Sequence, residues 1–233
     1  MKLFISADIE GCVGTTLASE THKETPEYRQ FAKRMTDEVR IVCQAALEAG
    51  ADEIVVKDGH GDATNIDFTA MPEGVTLIRG KSGHPYNMMF GLDETFDGVL
   101  YVGYHAPAGN GGNPISHTST GNSNQILLNG KVMSEFMLNT YTAAMMGVPA
   151  VFISGDEGIC GLAREMVPGI TTAAVKKGVG ACTINMSVAA ADRLLKEKVK
   201  EALSGDLKAC RIAMPEQFEY VVNYKDLKKA YQM

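Results

Sequence analysis

No apolar run in the 233 residues reaches the roughly 18 that a membrane span requires. The opening Met-Lys-Leu-Phe-Ile-Ser-Ala meets a carboxylate at Asp8, too early for a secretory signal with a small-residue cleavage site. The five cysteines (Cys12, Cys43, Cys160, Cys182, Cys210) are odd in number and never spaced CxxC, so neither a disulfide framework nor a thiolate zinc site is indicated. They read as small interior residues of a reducing compartment, with Cys12 chemically reachable beside the acidic pair that precedes it. Positive charge is also short: 22 Lys and Arg against 28 Asp and Glu give a net charge of −6, without a local basic stripe. Nucleic acid as a partner is therefore set aside. There are no repeats, low-complexity tracts or linker. Together these absences predict a cytoplasmic chain that neither spans nor anchors to a membrane.

Hydrophobic residues (45%) and charged residues (21%) occur in ordinary globular proportions, enough for a full core. Lys2 to Ala7 is an apolar run broken by Asp8-Ile9-Glu10-Gly11, a buried strand delivering polar groups at its end. From Pro26 to Ala49 apolar residues recur at helical spacing (Phe31, Met35, Val39, Val42, Ala46), with Pro26 suited to the first turn and Gly50 to the end. Glu53 to Lys57 is a second strand, so the unit reads as parallel βαβ. Val75–Arg79, Gly98–Val102, Ala150–Ser154 and Thr171–Val175 continue the strand series, and Phe136–Met146 and Ser187–Leu203 are helical. Asn129-Gly130 between Gln125 and Val132 marks a two-residue hairpin turn. Arg211–Val222 predicts one or two strands, followed by the start of a helix at Lys225. The class is α/β: a mainly parallel central sheet flanked by helices, a β-hairpin insertion, and room for a smaller C-terminal lobe.

Asp8 and Glu10, His60 and His105 each fall just past the end of a predicted parallel strand, where open α/β sheets build their sites. Groups about 50 residues apart can converge there. Asp8 and Glu10, one residue apart in an extended segment, project the same way and repel unless a cation lies between them. Zinc in hydrolytic sites takes imidazole and carboxylate, and a two-metal site needs a shared carboxylate. Each piece also has an ordinary reading: Asp8 and Glu10 as a solvated pair, His60 as a turn residue between glycines, His105 as a core histidine, Glu135 as a charge complementing a helix N-terminus. Three strand ends yielding ligand-type residues together put a metal site on an equal footing with these ordinary readings. His22 and His84 read as surface or structural residues; Asp156, Glu157 and Lys176 have two readings, as solvated charges, the stronger, or as groups approaching the pocket from other strand ends.

Several stretches, in order, cover almost the whole chain and resemble the M55 peptidases, the DppA-like D-aminopeptidases. They are Ile5-Ser6-Ala7-Asp8-Ile9-Glu10-Gly11, Val56-Lys57-Asp58-Gly59-His60-Gly61, Gly91 to Gly98, Val102-Gly103-Tyr104-His105-Ala106, Ser116-His117-Thr118, and Leu128-Asn129-Gly130 leading to Glu135. The resemblance implies a zinc aminopeptidase preferring short D-amino-acid peptides of the D-Ala-D-Ala type. It implies two Zn2+ per chain, held by Asp8 as the bridging carboxylate together with Glu10, His60, His105 and Glu135. His117 is implied as the catalytic histidine, and a ring-like homo-decamer as the assembly. Ser134 stands where the family usually has Gly, and Thr120–Asn124 lacks an arginine often found there. In the family the last segment normally leads into further strand and helix, so residues 1–233 are expected to form one such domain, either as a short variant or as part of a chain that continues past Met233. In this reading His117 donates to a developing oxyanion or passes a proton to the leaving amine; a nucleophilic role stays open. The alternatives are another two-metal amidohydrolase or phosphoesterase, and a non-catalytic metal- or peptide-binding protein. The extra histidine, His117, speaks against the last.

Overall fold

The computed structural model describes residues 1–233. Its sheet grows outward from the first strand. β1 (Lys2–Ala7) lies between β2 (Glu53–Asp58) and β4 (Gly98–Tyr104), and β3 (Val75–Ile78) extends it beyond β2. On the other side follow β7 (Ala150–Asp156), β8 (Thr171–Val179) and β9 (Cys182–Asn185), giving the order β3-β2-β1-β4-β7-β8-β9. All neighbours are parallel except β8 and β9. β1, β4 and β7 are buried along nearly their whole length, which explains why they read as unbroken apolar runs rather than alternating ones.

The chain steps from β1 through α1 (Tyr28–Glu48) to β2, and later from β4 through α2 (Glu135–Met145) to β7, in the opposite direction along the sheet. Right-handed crossovers then place α1 and α2 on opposite faces. α4 (Val188–Ser204) packs against α1, and α3 (Glu157–Met166) against α2. α1 buries Ala32, Met35, Val39, Val42 and Ala46 along one stripe. One cluster of 48 buried apolar residues joins both layers to the sheet. The reversal of direction falls between β1 and β4, and this is where the crevice of such a sheet opens.

Asn129 and Gly130 take positive φ (50° and 74°) in the two-residue turn between β5 (Ser123–Leu128) and β6 (Lys131–Val132). β10 (Tyr220–Tyr224) pairs antiparallel with β5, making a second, three-stranded sheet, and α5 (Leu227–Gln232) follows. The predicted strand over Arg211–Val222 is thus confined to its last residues and continues to Tyr224. Two elements were not anticipated. α3 begins at Glu157, where Gly158 and Gly161 depress helix propensity. β9 is four residues long and largely exposed, too short for a hydrophobic pattern to register.

Candidate metal centre

The ends of β1 and β4 are bound tightly to each other. Asp8 donates its backbone N–H to the Val102 carbonyl and Gly11 to that of Gly103, both at 2.8 Å. A side chain at Gly11 would place its Cβ 1.8 Å from the Tyr104 carbonyl oxygen, and one at Gly103 (φ +71°) would lie 2.3 Å from that of Asp8. Only glycine admits this approach, and it brings Asp8 beside His105. β2 supplies His60. The Asp58 carboxylate accepts from the Asn65 and Ile66 amides at 2.6 and 2.8 Å, and Asn65 donates its side-chain amide to the His60 carbonyl at 2.7 Å, folding the turn back on the strand end. Glu135 opens α2, where Ser134 caps the helix by accepting from the Met137 amide. This gives the serine at that position a definite task.

The structure brings all six predicted site residues together. Asp8 Oδ1 lies 3.3 Å from His60 Nδ1, while its Oδ2 lies 3.6 Å from His105 Nε2. Glu10 approaches His60 at 3.1 Å, and Glu135 approaches His105 at 3.9 Å and His117 at 3.7 Å. The rings of His105 and His117 stack with centroids 4.4 Å apart. His117 therefore shares a compact donor group with His105 and Glu135, and a second group comprises Asp8, Glu10 and His105. That closeness was not foreseen for His117, whose loop position gave it no evident place among the ligands.

Each imidazole uses one nitrogen on a backbone carbonyl: His60 Nε2 on Thr21, His105 Nδ1 on Ala106, His117 Nδ1 on Ile115, at 2.9, 2.9 and 3.0 Å. A carbonyl only accepts, so these nitrogens carry hydrogen and the others face the carboxylates with their lone pairs when the rings are neutral. That is the arrangement by which proteins orient metal-binding histidines. Buried Glu10 Oε2 and His105 Nε2 have no hydrogen-bond partner. An unpartnered acceptor of each kind, beside carboxylates 3% exposed at Asp8 and Glu10, fits a divalent cation with mixed nitrogen and oxygen ligands.

Electrostatics point the same way. Burial, reinforced by the neighbouring Glu10, pushes the Asp8 carboxyl up to about 7. Burial opposes charge on Glu10 too, but His60 and His105 outweigh it and hold Glu10 well below the usual carboxylate range. Burial alone would lower both imidazoles; Glu10 and Asp8 instead raise His60 to about 11, and Glu135 with Asp8 raises His105 to about 9. The cluster holds more negative charge than it can keep without a cation, whether proton or metal.

Behind the cluster the structure corrects two expectations. Asp156 and Lys176 are buried, not solvated; Glu157 alone of that trio is exposed. Lys176 donates to the carbonyls of Glu10 and Thr15, and Asn113 donates to the Glu10 carbonyl and to Asp156. Asp156 also accepts from the Ala106 amide at 2.8 Å and caps α3 through the Ile159 amide. Sequence gave no sign of this, because a lysine satisfied by backbone carbonyls has no signature in residue type. Cys12, expected to be reachable, is wholly buried, with its thiol against the Asp8 carbonyl and its pKa pushed well up by burial. The other cysteines are free, and all but Cys182 are buried.

The cluster forms the floor of a cavity of about 470 Å³. Its wall includes three stretches of chain: Thr21 and His22, Asn87 and Met88, and the loop from Pro114 to Gly121. His22, read as a plain surface residue, is exposed into this cavity; His84 is exposed and packs against Tyr86.

An α/β sheet carrying carboxylates and imidazoles at its strand ends, inside a cavity of ligand size, defines a metalloenzyme. The chain belongs to the D-aminopeptidase family, peptidase M55, whose family model matches residues 1–233. It is 32% identical over 218 residues to a D-aminopeptidase of Bacillus subtilis strain 168, covering 93% of this chain and 79% of that protein. It also superposes on the solved structure of the Zn-dependent D-aminopeptidase DppA from Bacillus subtilis, described as a self-compartmentalizing protease. The TM-score is 0.93 at 30% identity, covering 99% of this chain and 84% of that one.

Proposed function

We propose that this chain is a zinc-dependent aminopeptidase that hydrolyses short peptides with a D-amino acid at the N-terminus. Residues 1–233 act as one domain. The observation that carries the reading is the set of three imidazoles, each fixed by a backbone carbonyl and aimed at Asp8, Glu10 and Glu135.

Asp8 presents one oxygen toward His60 and the other toward His105, which suits a carboxylate shared by two ions. Glu10 and His60 would complete one ligand set, His105 and Glu135 the other. Zinc, when bound, supplies Lewis acidity toward a carbonyl oxygen and lowers the pKa of water toward neutrality. The chain's own residues provide the rest. His117 keeps Nδ1 on Ile115 and turns Nε2 toward Glu135 and the cavity, where it can take the proton lost by the attacking water and hand it to the leaving amine. Its contact with Glu135 and its stacking on His105 favour a second reading, in which His117 is itself a ligand.

No helix is long and apolar enough to cross a membrane. We place the protein in the cytoplasm, as a closed homo-oligomer of the decameric ring kind. Light scattering on the purified full chain tests the assembly, and a monomer would overturn it. The function is tested by release of D-Ala from D-Ala-D-Ala and L-Ala from L-Ala-L-Ala, with and without chelator. Zinc-dependent cleavage favouring the D-dipeptide is expected. Full turnover in equilibrated chelator, with zinc shown to be absent, would sink the metalloenzyme reading.

A further inference from the structure

The cavity is polarised. Its acidic lining residues, Asp8, Glu10 and Glu135, all belong to the floor, and its only lysines or arginines are Lys81 and Lys225. Both lysines are exposed, and neither ammonium has an ion-pair or hydrogen-bond partner in the chain. Nearby Lys23 differs: it is committed to both oxygens of Asp62 and to Thr64.

The backbone carrying these two cations is anchored. Gly80, just before Lys81, donates to the Ala63 carbonyl and accepts from the buried ammonium of Lys57 at 2.9 Å. Lys225 follows β10 and donates its backbone N–H to the Asn122 carbonyl at 2.9 Å, which fixes it beside the loop that carries His117. The floor carboxylates are committed to the metal site, so these two unpaired ammoniums are the free charges of the lining and suit an anionic group. A short unblocked peptide carries its positive amine at one end and a carboxylate at the other, and a cavity of about 470 Å³ suits a ligand of that size.

We propose that Lys81 and Lys225 bind the free α-carboxylate of the substrate, so that the enzyme selects short peptides by their unblocked C-terminus. The proposal rests on the peptidase reading and adds to it a second recognition point, remote from the metals. Exposed lysines act through screened attraction, so the effect falls on KM and weakens with added salt.

The test compares D-Ala-D-Ala with its C-terminal amide on the zinc-loaded full chain, in wild type, Lys81→Met, Lys225→Met and the double variant. Wild type should favour the free acid about tenfold in KM, as expected for partly screened charge-assisted contacts. The double variant should bring the acid-to-amide ratio close to one, and Lys225→Arg should restore much of it. A merely structural role would impair both substrates alike and leave the ratio untouched. Equal KM for acid and amide in wild type, or an unchanged ratio in the double variant, would overturn the proposal. D-Ala-D-Glu amide separates the sources of the carboxylate: if it matches the free acid, the assignment to the α-carboxylate is wrong. If neither peptide is cleaved, the peptidase reading falls. Calorimetric binding of acid against amide to the zinc-loaded protein then decides the carboxylate site on its own.

Discussion

The three histidines of the cavity floor are held by carbonyls that cannot release them to another tautomer without losing a buried hydrogen bond. Three outcomes follow at this scale. Asp8→Ala should strip both zincs as measured by elemental analysis, because Asp8 faces the two ligand sets at once; a full zinc complement in the variant would remove its bridging role. His117→Ala should retain zinc and lose roughly 100-fold in kcat, the scale of a positioned proton-transfer group. Loss of zinc instead would make it a ligand. The third outcome concerns pH. In zinc-stripped protein, His105 (about 9) and His60 (about 11) bind protons more tightly than the 6.5 of a free imidazole. Their contribution to stability is complete below pH 6.5 and is lost as pH rises through 9 and then 11. Zinc displaces these protons. Thermal unfolding between pH 7 and 10 should therefore show Tm falling in stripped protein and a flatter curve with zinc bound. Parallel curves would contradict it.

At the scale of elements, the site exists because the ends of β1 and β4 nearly touch. Gly103→Ala puts a methyl against the Asp8 carbonyl at a positive φ, and should cost about 3 kcal/mol or more and abolish zinc binding. Lys176→Met leaves the Thr15 carbonyl without its buried donor and the Glu10 carbonyl with Asn113 alone, and should cost about 2–3 kcal/mol in urea denaturation, with weaker zinc affinity. Glu157→Ala, on the exposed start of α3, should stay within about 0.5 kcal/mol. What was legible follows from the same geometry. Apolar runs closing on Asp8, Asp58-Gly59-His60 and Tyr104-His105 announce strand ends and chemistry together, since a parallel strand is buried until it emerges. Lys176 was hidden because its partners are backbone carbonyls far away in sequence, and the burial of Asp156 because the Ala106 amide and the Asn113 side chain that bind it lie more than 40 residues away. The approach of His117 to Glu135 was hidden because it depends on how the loop before β5 folds over α2, and no periodicity encodes that.

At the scale of the molecule, metal and fold are separable. The apolar cluster of 48 residues spans both faces of the sheet and owes nothing to the ligands. Chelated protein should keep its far-ultraviolet circular dichroism and regain activity on adding zinc without refolding; loss of secondary structure would refute this. Tm should rise with free zinc as mass action requires.

The return of β10 to β5 has a consequence in time. Asp8, Glu10, His60, His105 and Glu135 have all left the ribosome long before Tyr220–Tyr224 is translated, yet Lys225 and its stretch of cavity wall arrive only with that last strand. The metal ligands and this part of the substrate wall are thus staggered along the synthesis of each chain, the first made while the second is still untranslated. Nascent chains stalled on the ribosome before Tyr220 should already bind zinc. Failure to bind it would erase the stagger.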